Sequence, residues 1–100
     1  MGKKLDGDRC FYCDFYFEFE STKTKDHVVP LSNGGKGLLN NTVLCCRDCN
    51  TDKANLTLQE FIWKCLNDID FIKLYTPYNE YRINRKRRII EKCEMLIQKK

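Results

Sequence analysis

Residues 26–50 read DHVVPLSNGGKGLLNNTVLCCRDCN, and this stretch decides the fold. It opens with a carboxylate, Asp26, beside the single histidine of the chain, His27. A Gly-Gly turn and a central asparagine, Asn41, follow, and the stretch closes on Cys46-x2-Cys49 with Asn50 directly after it. Proline disfavours helix in the residue before it, so an extended segment is predicted over 22–29, stopping at Pro30. The glycines of SNGGKG (32–37) can take positive φ and mark a loop. Thr42-Val43-Leu44 reads as a short returning strand. Asn50 reads as the N-cap of a helix that begins with Thr51-Asp52-Lys53.

Toward the N-terminus, RCFYCDFYFEFES (9–21) holds six aromatics and a second CxxC, Cys10 and Cys13. Phe15, Phe17 and Phe19 alternate with Tyr16, Glu18 and Glu20, and this period of two predicts a strand. The four cysteines Cys10, Cys13, Cys46 and Cys49 suit a tetrahedral zinc site, in which each of two tight turns presents two sulfurs. With 32 residues between the pairs, such a site clamps two distant segments around the Asp26-His27 strand. Protein fills all four positions, so the zinc is structural. Cys45 competes with Cys46 as a ligand, but only Cys46 completes the CxxC that ends at Asn50. Cys45, Cys65 and Cys93 sit on apolar faces and are expected in the core, where free cysteines are common.

The chain has 100 residues, the size of one domain, and its core is marginal enough for a metal staple to matter. Seven cysteines, an odd number, argue against a closed disulfide set. The opening MGKKLDGDRC lacks the apolar core of a secretory signal, and no apolar run reaches membrane-spanning length. A reducing cytoplasm is therefore expected, in a bacterium or in a virus-infected host, or the nucleus in a eukaryote.

C-terminal to the cysteines, Thr57 and Glu60 form a capping box. Leu58, Phe61, Ile62, Cys65, Leu66 and Ile69 follow helical spacing behind it, with Trp63 off the stripe. Thr76-Pro77 reads as a break. A last helix over 79–98 gathers Ile83, Ile90, Cys93 and Ile97 on one face, with Arg85, Arg88, Lys92 and Lys99 largely opposite. The net charge is +4, and residues 82–100 supply eight Lys/Arg against two Glu. Four zinc-bound thiolates would lower the total to about +2. The basic segment points to a polyanion partner. Lys53, Arg82, Arg85, Lys86, Arg87, Arg88 and Lys92 are the candidate phosphate contacts. A solvated helix face, or a homodimer contact through Ile83, Ile90 and Ile97, are other uses of the same helix.

The order of parts over residues 9–57 resembles the HNH, or ββα-metal, nucleases, in the subset whose last motif residue is Asn and whose paired CxxC motifs bind zinc. The resemblance implies an α+β fold: a zinc-stapled, treble-clef-like ββα-metal core (9–57) followed by two C-terminal helices (58–100) in a single domain. It implies that Asp26 and Asn50 bind a catalytic Mg2+ or Mn2+ ion and that His27 is the general base. Asn41 then shapes the loop, its distance from the CxxC selecting it over Asn40. Double-stranded DNA becomes the expected substrate, cut to 5′-phosphate and 3′-hydroxyl ends.

The residue types suit that chemistry. Phosphodiester hydrolysis needs an activated water, neutralised charge at phosphorus and help for the departing oxyanion, and a hard divalent cation supplies the last two. Magnesium prefers oxygen ligands and keeps several waters, so a carboxylate and an amide oxygen are an adequate protein share. An imidazole takes a proton from water near neutral pH. Adjacency in a strand points Asp26 and His27 to opposite faces, so serving one phosphate requires a bent strand or a phosphate across its edge. Two rivals stay open. A non-catalytic zinc module that binds nucleic acid has no need for Asp26, His27 and Asn50 together. A protein-interaction zinc domain predicts no salt-dependent DNA affinity.

Overall fold

The computed structural model describes residues 8–35 and 41–98; Asn40, Lys99 and the end of the SNGGKG loop lie outside them. Strand β1 (Lys23–His27) pairs antiparallel with β2 (Thr42–Cys46), placing Lys23 opposite Cys46 and His27 opposite Thr42. Helix α1 (Arg47–Lys53) follows β2 without a break. Two long helices complete the architecture, α2 (Leu58–Tyr75) and α3 (Glu80–Gln98). The fold is α+β, a ββα core carrying a helical pair.

The β1–β2 connection is held from both sides. The Val28 amide donates to the Asn41 carbonyl at 2.9 Å. Gly34 sits at φ 88°, in the left-handed region, where a Cβ is costly. A Cβ on Gly35 would lie 1.9 Å from the Val29 carbonyl oxygen, so only glycine lets the loop fold back this closely.

Helix α1 starts earlier than its sequence suggests. The Cys46 sulfur accepts the Cys49 amide at 3.4 Å and takes the capping role, so Asn50 lies inside the helix rather than at its N-cap. The helix ends on Ala54 at φ 47°, a conformation that disfavours any residue with a Cβ.

The strand expected over Phe15–Glu20 does not form. The first cysteine pair instead folds as a tight knuckle, with the Cys10 amide donating to the Phe15 carbonyl and Asp14 at φ 65°. Only an isolated bridge joins Arg9 to Tyr16, and residues 20–22 coil into a 3-10 turn. A period-two pattern makes a strand only where a partner edge is available, and β2 is the partner of β1. Phe17 turns inward, whereas Phe15 and Phe19 stay exposed.

The capping box forms as expected: the Thr57 hydroxyl accepts the Glu60 amide and the Glu60 carboxylate accepts the Thr57 amide. Phe61, Ile62, Cys65, Ile69 and Ile72 face inward. Leu66, expected with them, is exposed because the buried stripe runs 62-65-69-72 and leaves it on the flank; Trp63 is also outside. The α2–α3 turn is short, which makes the two helices antiparallel neighbours. Ile83 packs with Ile69 and Ile72, and Ile90 joins them, whereas Ile97 stays exposed. Tyr12, Phe61, Cys65, Ile89 and Cys93 form the centre of the main core, where the Tyr12 and Phe61 rings meet edge to face at 5.5 Å. Cys45, Cys65 and Cys93 are fully buried, and burial pushes their thiols up to about 11, 11 and 12.

Candidate active site and zinc centre

Backbone amides shape both cysteine knuckles. Cys10 sulfur accepts from the amides of Tyr12 and Cys13, at 3.3 and 3.4 Å, as Cys46 sulfur does from Cys49. A bond from the Phe11 amide to the Leu44 carbonyl fixes the first knuckle against β2. The four sulfurs of Cys10, Cys13, Cys46 and Cys49 lie within 4.8 Å of one another and are buried. Cys13 and Cys46 sulfurs stand 3.7 Å apart. A tetrahedron with Zn–S bonds of 2.3 Å has edges of about 3.8 Å. The donor set and its spacing therefore fit zinc. The four thiols also share protons: hydrogen bonds from Cys10 and Cys13 hold Cys46 far below the usual thiol range, and one from Cys10 holds Cys13 at about 6.

Helix α3 lies over this cluster. Arg85 Nη2 donates to the Cys49 sulfur at 3.1 Å and approaches the Cys46 sulfur at 3.8 Å. Burial opposes the Arg85 charge, but the negative charge on Cys49 and Cys13 outweighs it and raises the guanidinium above its ordinary range. Arg88 Nε donates to the Cys13 carbonyl at 2.9 Å. Lys92 Nζ donates to the Phe11 carbonyl at 2.7 Å and stands 4.6 Å from the centre of the Phe11 ring.

The seven candidate phosphate contacts differ in what they touch. Lys86 is buried between Asp52 and Asp68, at 2.9 and 3.0 Å. Burial opposes its charge, yet the bonds to those two carboxylates raise its pKa. Lys53 is fully buried. Arg82 and Arg87 are the members that stand exposed. Counting charge along the chain misses this division. The signal available was spacing, since Arg85, Arg88 and Lys92 follow i, i+3, i+7 and flank Ile89 and Cys93.

The other site lies on the seam between β1 and α1. Asp26 is 5% exposed. Its Oδ2 accepts the Tyr12 hydroxyl at 2.7 Å and faces Lys53 Nζ at 3.1 Å, while Oδ1 has a single long contact to Lys53 at 3.5 Å. Lys53 also donates to the His27 carbonyl at 3.0 Å. Burial, then the Asp26 charge, pushes the Tyr12 hydroxyl above its ordinary range, so it stays a donor. Asn50 projects to the same strand, its Nδ2 lying 3.5 Å from the Lys25 carbonyl. Asn41 grips the start of the loop: its side-chain oxygen accepts the Val29 amide at 2.9 Å and its amide group donates to the Val29 carbonyl at 3.1 Å.

The Asp26, Asn50 and Lys53 side chains and the His27 backbone carbonyl are therefore collected on one strand–helix seam, with Asn41 at the loop that leaves it. Tyr12 is the member that sequence reasoning missed. It sits between the cysteines of the first knuckle, where an aromatic reads simply as core.

An antiparallel hairpin that runs directly into a helix, stapled by four cysteines, defines a zinc-stabilised ββα-metal fold. The chain matches the family model described as HNH endonuclease over residues 10–56. It is similar to the protein named Uncharacterized protein R423 of Acanthamoeba polyphaga mimivirus, at 29% identity over 73 residues; the match covers 73% of this chain and 13% of the viral protein. No solved structure matches the chain. Among the described residues, no helix is long and apolar enough to cross a membrane.

Proposed function

We propose that this chain is a metal-dependent endonuclease that hydrolyses phosphodiester bonds of double-stranded DNA. The observation that carries the proposal is the β1–α1 seam, where the Asp26 carboxylate and the Asn50 amide project from strand and helix toward one another's element. A carboxylate and an amide are the oxygen donors that suit Mg2+ or Mn2+. Asp26 Oδ1, with one long contact, keeps acceptor capacity, and the Asn50 amide group that meets Lys25 leaves its carbonyl oxygen for a cation. These two oxygens are the support for reading the seam as a divalent-ion site.

When bound there, the ion supplies charge neutralisation at phosphorus and support for the departing oxygen. The protein does the rest. Tyr12 and Lys53 hold the Asp26 carboxylate in one position from inside the core. Lys53 fixes the His27 carbonyl, and with it the end of β1 that carries the imidazole. His27 takes the proton from the attacking water as its oxygen closes on phosphorus. Asn41 keeps the following loop folded back through its two bonds to Val29. Arg82 and Arg87, exposed on α3, supply attraction for the polyanion.

The test is cleavage of end-labelled duplex DNA by zinc-loaded protein, with and without added Mg2+ or Mn2+. Metal-dependent products carrying 5′-phosphate and 3′-hydroxyl ends, which DNA ligase reseals, are expected. The reading fails if no divalent ion supports cleavage of any DNA form, or if the products carry 3′-phosphate.

A further inference from the structure

We propose that helix α3 completes the zinc centre, with Arg85 serving as a positioning residue that bonds to its thiolates from outside the ligand set. Nothing in the cysteine motif calls for a cation. Four thiolates around one Zn2+ nevertheless leave two formal negative charges in a buried place. Arg85 meets that charge directly, with one guanidinium nitrogen 3.1 Å from the Cys49 sulfur and 3.8 Å from that of Cys46. That one nitrogen carries two N–H donors, enough to serve both sulfurs of the second knuckle.

The neighbouring turns of α3 show that this approach is built in. Arg88 and Lys92 lie three and seven positions on, along the same side of the helix, and each donates to a carbonyl of the first knuckle, Cys13 at 2.9 Å and Phe11 at 2.7 Å. Seven residues of helix rise about 10.5 Å, enough for one stripe to reach both knuckles. The helix is anchored behind this stripe by buried Ile89 and Cys93. Arg85 is therefore delivered to the sulfurs by a packed element.

This arrangement changes which part of the chain owns the metal. The segment that carries the family match ends at residue 56, and α3 begins at Glu80. Outer partners of metal ligands typically contribute about 10–100-fold to metal affinity. The HNH segment thus depends on the C-terminal helix to retain its zinc, and loss of Arg85 loosens the metal while all four cysteines remain. The inference holds whether or not the chain cleaves DNA.

The experiment uses the full chain, comparing wild type with Arg85→Met, Arg85→Lys and, as a control on the exposed side of the same helix, Arg82→Met. Circular dichroism establishes that each is folded with zinc, and zinc transfer to excess chromogenic chelator is then timed. Arg85→Met is expected to lose zinc about ten times faster than wild type or more. Arg85→Lys should fall between them, and Arg82→Met should match wild type. In the cobalt-substituted protein the sulfur-to-metal charge-transfer band of Arg85→Met should move to lower energy, because a thiolate without its hydrogen bond gives up electrons more readily. A purely structural role would leave that band in place. Folded Arg85→Met that releases zinc at the wild-type rate with an unshifted band overturns the proposal. Should Arg85→Met not fold, Arg85→Lys decides alone: faster release sustains the proposal and an unchanged rate overturns it.

Discussion

Lys53 shows how a charged side chain becomes interior structure. It is fully buried, and its ammonium is shared between the Asp26 carboxylate and the His27 carbonyl. Burying one charge alone is costly, so the pair stands or falls together. Lys53→Met is expected to destabilise the zinc-loaded protein by about 3 kcal/mol, because it leaves Asp26 buried with only the Tyr12 hydroxyl as a partner. Adding Asp26→Asn should recover much of that loss. Denaturant titration of the single and double variants checks this, and a loss below about 1 kcal/mol in Lys53→Met would show that Asp26 is solvated rather than paired. The same residue marks what sequence could and could not reveal. Asp26, His27, Asn41 and Asn50 were legible because their chemistry and spacing are carried along one short stretch. Lys53 and Tyr12 were not, since their roles come from a contact with Asp26 across 27 and 14 positions.

Helix α3 was legible as a helix and misleading as a surface. Its boundaries follow the apolar spacing, but a run of arginines reads as solvent-facing until the negative charge of a four-thiolate cluster is placed beside it. Helix α1 and the first knuckle were obscured for a related reason. The sulfur of Cys46 displaced Asn50 as the cap, and the knuckle turn at Cys10–Cys13 took the aromatic alternation out of strand pairing. For nucleic-acid binding the division on α3 has a measurable result. Each phosphate contact contributes about 0.9 to the slope of log affinity against log salt. Substituting Arg82 and Arg87 together by Gln should flatten the slope for duplex DNA by about 1.8 and leave zinc content unchanged. Equal slopes in wild type and the double variant would remove α3 from the DNA interface.

Zinc ties these pieces into one structure. The cluster joins a knuckle near the N-terminus to the junction of β2 and α1, α3 closes over it, and the same core holds Tyr12 beneath Asp26. Metal binding and folding are coupled when the ligands come from such distant segments. Zinc-specific chelation is therefore expected to collapse the helical circular dichroism signal and to open the buried thiols to alkylation. A spectrum unchanged after complete zinc removal would show that the packed core stands without its staple. Tyr12, set between the first pair of cysteines, links that staple to Asp26, which makes zinc-loaded protein the valid form for activity measurements.

The most direct measurement is nicking of supercoiled plasmid with added Mg2+ or Mn2+, comparing wild type with His27→Ala, both folded and loaded with zinc. Metal-dependent nicking by wild type that disappears in His27→Ala is the predicted result. Equal nicking by both proteins, or none by wild type with any divalent ion, would contradict the assignment of His27 as the base of an HNH endonuclease.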